Sequence, residues 1–206
     1  MALISMCCYD TIENKRTEYT KQTLLSLINT VDFDYHRLFI VDNNSCEATK
    51  KLLKDYSKYA TIITSETNLG TAKGINLAWA NKKPNENLIK MDNDVVINYY
   101  GWIDDLEEAI ERDPNIGIIG LKRKDLFENP FRNDMFKSEL KMLNHEDGQK
   151  WIIVEKVEHV IGTCQMYNHK LIEKIGGLVQ PSIYGFDDTL AAVRCKVAGF
   201  YSDRKS

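Results

Sequence analysis

An α/β fold, with a mostly parallel central sheet flanked by helices on both faces, is predicted by three features of the 206-residue chain. Short apolar, β-rich runs alternate repeatedly with amphipathic segments of helical period through the first 121 residues. Several of those runs end in polar residues, where such a sheet places ligands beyond the carboxyl ends of its strands. The length suits one sizeable core better than two independent ones, so a single domain over 1–206 is expected.

Taken in order, the first strand is read at Ala2 to Cys8, and the helix after it at Thr17 to Asn29 with Leu24, Leu25, Leu27 and Ile28 facing the core. A second strand, Leu38 to Val41, runs through Asp42-Asn43-Asn44-Ser45 into a helix with Leu52, Leu53 and Tyr56 inward. Asn44 as N-cap and Glu47 three residues later resemble a capping box there. A third strand at Thr61 to Thr64 precedes a helix at Thr71 to Ala80. Next come an apolar strand-like run at Leu88 to Ile97, a helix at Trp102 to Arg112 and a strand at Ile116 to Leu121.

From Lys122 to Lys150 the pattern breaks, since charged residues dominate and Pro130 interrupts. A long loop or flap is expected there, an active-site lid or an acceptor-facing insertion rather than a plain linker, with at most a short helix near Met135 to Leu143. Two β-rich runs follow, Trp151 to Val157 and His159 to Met166. A helix at Lys170 to Ile175, a Gly176-Gly177 turn and a helix at Asp187 to Ala198 complete the chain.

Composition narrows the function classes. With 27 basic and 30 acidic side chains and a net charge of -3, nothing marks a nucleic-acid binder. No apolar run approaches the roughly 18 to 20 residues of a membrane span, and no basic-then-apolar leader opens the chain, so a cytoplasmic location is expected. The five cysteines have no metal-ligand spacing, and adjacent Cys7 and Cys8 would face opposite sides of a strand, which points to reduced thiols.

The strand ends carry the chemistry. Asp92 and Asp94 would share one side of an extended segment, with Asn93 on the other, and two carboxylates suit a hard divalent cation such as Mg²⁺ or Mn²⁺. Asp42, Asn43 and Asn44 offer one acid and two amides to a nucleobase or ribose edge. Asn68-Leu69-Gly70-Thr71-Ala72-Lys73-Gly74-Ile75-Asn76 places a glycine turn at a helix N-terminus. Free N–H groups and the Lys73 charge would favour a diphosphate at that turn. Each segment alone also has a plain explanation as turn, cap or solvated face; their succession at strand ends favours a nucleotide site.

These segments together resemble the family 2 glycosyltransferases, which have the GT-A fold and use nucleotide-diphosphate sugars. The resemblance runs through Ile40-Val41-Asp42-Asn43-Asn44-Ser45, Asn68-x-Gly70 with Asn76, Asp92-Asn93-Asp94 and Gly101-Trp102. It continues in Gly162-Thr163-Cys164, Ile175-Gly176-Gly177 and Gly185-Phe186-Asp187-Asp188 with Arg194 and Gly199. It implies a nucleotide-sugar and metal-binding half, 1–121, and an acceptor-side half, 122–206. It implies Cys7 and Tyr9 against base and ribose, Asp42 on the base, and Asp92 and Asp94 on ribose and metal. Asn44, Asn68, Gly70, Lys73, Asn76 and Asn93 complete the expected donor-binding set, and Asp187 or Asp188 supplies the catalytic base, Asp187 being preferred as the first acidic position.

The implied activity is a Mn²⁺- or Mg²⁺-dependent, inverting, hexosyltransferase-like transfer from a nucleotide sugar to a glycan or lipid-linked acceptor, as in polysaccharide synthesis. Peripheral association with the inner face of a membrane is compatible with it. A non-catalytic sugar-nucleotide or glycan-binding module is the alternative. Two departures stand out: Leu190 occupies a frequently acidic position, and no histidine follows Tyr201. His36, His145, His159 and His169 have no metal spacing and are expected as surface or core residues. A sugar-1-phosphate nucleotidyltransferase would need a Gly-rich basic loop after the first strand, and an aspartate-nucleophile phosphatase would carry Asp-x-Asp on that strand; the chain has neither.

Overall fold

The computed structural model describes residues 1–123, 138–144 and 151–205. Its strands are β1 (Ala2–Cys8), β2 (Arg37–Asp42), β3 (Ala60–Thr64), β4 (Asn87–Met91), β5 (Ile116–Leu121), β6 (Ser138–Asn144), β7 (Trp151–Val157), β8 (Cys164–Tyr167) and β9 (Tyr201–Lys205). Its helices are α1 (Thr17–Thr30), α2 (Glu47–Asp55), α3 (Thr71–Trp79), α4 (Trp102–Arg112), α5 (His169–Ile175) and α6 (Asp187–Val197). All the strands join one sheet in the order β3-β2-β1-β4-β8-β5-β9-β7-β6.

The mixed α/β fold with helices on both faces agrees with expectation, and the parallel character is concentrated in one half. Strands β3, β2, β1 and β4 are all parallel, whereas β8 runs antiparallel to both β4 and β5. Beyond them β5 pairs parallel with β9, and β7 pairs antiparallel with β9 and β6. In the parallel half the register sets Cys8 beside Asp42 and Met6 beside Met91, so the polar ends of β1, β2 and β4 emerge together.

Successive residues of β1 serve opposite faces, as a pleated strand requires. Ile4 packs with Leu24 and Leu27 of α1, Leu53 of α2 and Trp102 and Leu106 of α4, while Leu3 packs with Ile75 and Trp79 of α3, Leu171 of α5 and Ala191 and Cys195 of α6. Trp79 closes the second core against Tyr167, ring centroids 5.0 Å apart, and donates its indole N–H to Ser5 Oγ at 2.9 Å. A buried indole N–H usually finds such an acceptor.

Several local expectations change. Leu25 is exposed and Ile28 only part-buried; the inner stripe of α1 instead combines Leu24 and Leu27 with Thr20, Thr23 and Ser26. The N-cap of α2 is Cys46, while Asn44 sits outside the helix at a left-handed φ of 68°, so no capping box forms. Strand β4 ends at Met91, and residues 93 and 94 lie in a turn rather than in extended chain. Ser138–Asn144 is a strand, not part of a helix or loop, because its backbone pairs fully with β7 from Ser138 opposite Val157 to Asn144 opposite Trp151. The rest of the expected flap, 124–137 and 145–150, lies outside the described residues.

Strand β9, absent from the sequence expectations, buries Asp203 completely between Ile119 and Lys156, and among the described residues neither carboxylate oxygen finds a hydrogen-bond partner. Burial pushes its pKa from 3.8 to about 6, with Lys141 opposing and Asp113 adding to the rise. A raised folded-state pKa means the native chain keeps a proton that the unfolded chain releases, so stability falls as pH rises from about 4 to about 6. The loss is of the order of 1–3 kcal/mol. Asp203→Asn is expected to flatten that stretch in urea denaturation at stepped pH and to gain stability over wild type at pH 7; parallel curves for the two proteins would contradict it.

Candidate active site

The carboxyl ends of β1, β2 and β4 open into a cleft of about 470 Å³. Of the residues expected at the donor site, it is lined by Cys7, Tyr9, Asn68, Gly70, Asp92, Asn93 and Asp94. A larger cavity of about 720 Å³, bounded by Tyr99, Leu121 and Thr163 among others, shares Asp94 with it.

The segment after β4 is held by α1. Thr23 Oγ1 accepts the N–H of Val95 at 3.0 Å and Ser26 Oγ accepts that of Ile97 at 3.2 Å. Asn93 donates to Asp10 Oδ1 and to Thr20 Oγ1, both at 2.7 Å, and Thr20 donates to Asp10 Oδ2 at 2.6 Å. The hydroxyl stripe of α1 thus fixes the turn that carries the acidic pair, a role an apolar stripe could not fill. Asn93 therefore lines the cleft while its amide is spent on Asp10 and Thr20.

Asp92 and Asp94 each face a cation. Arg16, at the N-cap of α1, places a guanidinium nitrogen 2.7 Å from Asp94 Oδ2. Lys90, one pleat before Asp92 and only 3 % exposed, has its ammonium 3.3 Å from Asp92 Oδ1 and 3.0 Å from Asp187 Oδ2, and donates to the Gly162 carbonyl at 2.7 Å. Burial lowers the Lys90 pKa, but Asp92 and Asp187 outweigh it and the net shift is upward. Partial burial raises that of Asp92, with Lys90 opposing.

The acid pair at the start of α6 divides in the same way. Asp187 is buried on Lys90. Asp188 Oδ2 accepts the Gly162 N–H at 3.1 Å and lies 3.2 Å from His159 Nε2, and its Oδ1 accepts the Thr189 N–H at 2.7 Å. Burial would raise its pKa, but His159, the Thr189 N–H and the Lys90 charge prevail and hold it at about 2. Phe186, immediately before the pair, sits at a left-handed φ of 65°, an uncommon conformation for an aromatic residue. His159, expected as an isolated surface or core residue, is instead Asp188's neighbour.

Other expected donor residues have structural duties. Asp42 accepts the Ser45 N–H at 2.8 Å and faces α2, away from the cleft; Asn44 and Lys73 do not line it. Asn76 exchanges two hydrogen bonds with Leu178, at 2.8 and 2.9 Å, and Arg194 donates to the Gly177 carbonyl, so the Gly176-Gly177 turn is clamped between α3 and α6. A Cβ on Gly177 would stand 2.5 Å from Asn76 Oδ1.

The N-terminus of α3, expected to receive a diphosphate, is largely satisfied from within. Asn43 Oδ1 accepts the Leu69 N–H, Asn68 Oδ1 the Gly70 N–H and Gln180 Oε1 the Ala72 N–H. Gly70, at φ 81°, meets the 183 backbone so closely that a Cβ would lie 2.6 Å from the Ile183 carbonyl oxygen. Burial pushes the Cys7 thiol to about 12, which makes it a neutral wall rather than a nucleophile.

Asn43, offered by the sequence to a nucleobase or ribose edge, also lines the cleft, while Asn14, Arg16, Thr71, Met91, Ile183 and Tyr184 are the lining residues missed in the sequence. Lys90 was legible: it lies two residues before Asp92 on the same pleat, and a lysine inside an apolar strand run is a signal in itself.

As a cation site, Asp92 and Asp94 provide two carboxylates open to a cleft, and among the described residues no group of three His, Cys, Asp or Glu side chains joins them. Such a donor set fits an ion that keeps positions for water and phosphate oxygens rather than a closed structural site. Lys90→Met, by leaving two carboxylates without their buried cation, is expected to destabilise the fold by about 3–5 kcal/mol in urea at pH 7. Adding Asp187→Asn to it should recover part of the loss, and strictly additive effects would contradict the coupling.

No curated protein sequence matches the chain. Among solved structures, similarity extends to the mannosyltransferase PcManGT from Pyrobaculum calidifontis in complex with GDP-Man and Mn²⁺, at TM-score 0.68 and 17% identity over 98% of this chain and 53% of that one. S. aureus TarS 1-349 superposes at TM-score 0.67 with 15% identity over 100% of this chain and 58% of its own. GalNAc-T7 with UDP, GalNAc and Mn²⁺ gives 0.69 and 11%, over 100% and 42%. The chain spans about half the length of these proteins and shares their GT-A fold. The sequence profile of glycosyl transferase family 2 matches residues 4–176, and the chain belongs to that family.

Proposed function

We propose that this chain transfers a sugar from a nucleotide-diphosphate sugar to an acceptor hydroxyl, with a divalent cation and with inversion at the anomeric carbon. The observation that carries the reading is the convergence of Asp92 and Asp94 with Tyr9 and Asn68 on one cleft at the strand ends. Two structural neighbours hold Mn²⁺ with GDP-Man, or with UDP and GalNAc, which supports the same class of donor here.

In this reading Tyr9 and Cys7 would flank the base and ribose, and Asp92 and Asp94 would hold the cation. When bound, Mn²⁺ or Mg²⁺ neutralises the leaving diphosphate as the glycosidic bond breaks. Inversion requires an acceptor hydroxyl to attack opposite the leaving group while a positioned carboxylate takes its proton.

Asp188 suits that role better than Asp187, the first choice from sequence. A base must reach the incoming hydroxyl; the Asp188 side chain is 23% exposed, against 10% for Asp187, whose carboxylate is turned onto Lys90. Two backbone N–H groups and His159 hold the Asp188 carboxylate ionised and in place. Glycans and lipid-linked saccharides are the acceptor classes expected. Among the described residues no helix is long and apolar enough to cross a membrane.

A panel of UDP, GDP, CDP and dTDP with and without Mn²⁺ tests the donor. One nucleotide should raise Tm by roughly 5–10 °C at about a hundred times its Kd, only with Mn²⁺ and not in Asp94→Ala. Asp188→Asn should bind that nucleotide normally and lose about a hundred- to ten-thousand-fold in transfer rate. Metal-dependent binding without transfer or hydrolysis in wild type would instead establish a binding module, and no shift with any nucleotide would remove the donor assignment.

A further inference from the structure

Resting on the nucleotide-sugar reading, we propose that Arg16 is a diphosphate-binding residue of the donor site, parked on Asp94 until a divalent cation takes its place. Among the described residues lining the cleft it is the one with a positive charge; the other charged groups there are Asp92 and Asp94. A donor diphosphate brought into this cleft meets two carboxylates, so it needs positive charge close by.

The helix N-terminus that would ordinarily supply it has spent most of its donors. The N–H groups of Leu69, Gly70 and Ala72 are taken by Asn43, Asn68 and Gln180. Lys73 does not line the cleft. Lys90 is nearly fully buried, pinned by the Gly162 carbonyl and shared between Asp92 and Asp187, so it cannot turn toward the cleft without leaving two carboxylates unpaired.

Arg16 differs in each respect. Its side chain is 36% exposed, its contact with Asp94 is to one oxygen of a 40% exposed carboxylate, and exposed pairs of this kind hold weakly. It sits at the N-cap of α1, beside Asn14 in the loop that leaves β1, so its guanidinium can swing across the cleft without moving a helix. A cation ligated by Asp94 competes for the same oxygen and displaces it. The released guanidinium then faces the diphosphate, for which its paired N–H donors are suited.

The two steps predict opposite signs for one substitution. In the full chain carrying Arg16→Gln, Mn²⁺ alone, followed by the spin-resonance signal of free Mn²⁺, should bind about three- to tenfold tighter, because its competitor is gone. In saturating Mn²⁺, the nucleoside diphosphate that stabilises wild type should bind about ten- to a hundredfold weaker by calorimetry, and the matching monophosphate should lose less. Arg16→Lys should fall between wild type and Arg16→Gln for the diphosphate, and an unchanged ligand-free Tm in both variants separates these effects from misfolding. Unchanged or weaker Mn²⁺ binding in Arg16→Gln, or undiminished diphosphate binding, would overturn the exchange while leaving the nucleotide reading intact. Absence of both ligands from wild type would overturn the two together.

Discussion

The ammonium of Lys90 is the point on which the two halves of the site depend. It leaves β4 inside the sheet, two residues before Asp92, and meets Asp187 from α6 and the carbonyl of Gly162 from the turn before β8. Those three segments come from separate parts of the chain, and the Asp92 and Asp187 carboxylates would repel one another without a cation between them. A charge taken so far from water is tolerated only with this many partners. Removing Lys90 would leave both carboxylates without their cation, so this ammonium holds α6 against the end of β4 before any ligand arrives.

Around that fixed point the site is built from polar contacts in places where sequence patterns lead one to expect apolar packing. Thr20, Thr23 and Ser26 on α1 hold the turn after β4 by its backbone and by Asn93, while Asn76 and Arg194 clamp the Gly176-Gly177 turn. The cleft is thereby framed by rigid elements, which keeps its carboxylates in place for a ligand. The exchangeable parts are the exposed ones: Arg16 on one rim, and Ile183 and Tyr184 on the other, where the chain crosses Gly70 and reaches the strained Phe186.

Much of this was legible in the sequence, and the limits have physical causes. Alternating β and α signals located the strands of the parallel half and the described helices, because each of those elements buries one periodic face, although β4 was carried past Met91 into the turn that holds Asp94. Strand β6 was missed because Ser-Glu-Leu-Lys-Met-Leu-Asn has the composition of a helix and becomes a strand by pairing with β7. Strand β9 is short and charged, and its buried Asp203 contradicts any hydrophobicity rule. At the site, types and spacing brought Cys7, Tyr9, Asn68, Gly70 and the acidic pair to one cleft, yet could not separate ligand contacts from tethers: Asn76 and Asp42 carry the family pattern and bond only to their own fold in the ligand-free chain. His159 and Asp188 meet across 29 residues, a proximity no local pattern records.

The central claim is that the cleft at the ends of β1, β2 and β4 is a cation-assisted nucleoside-diphosphate site. A crystal structure of the chain grown with Mn²⁺ and its preferred nucleoside diphosphate tests it most directly. The account requires anomalous density for manganese at Asp94 and Asp92, the base beside Tyr9, and Arg16 turned from Asp94 to the diphosphate. Nucleotide or manganese bound elsewhere, with Arg16 still on Asp94 and the cleft filled by water, would contradict it.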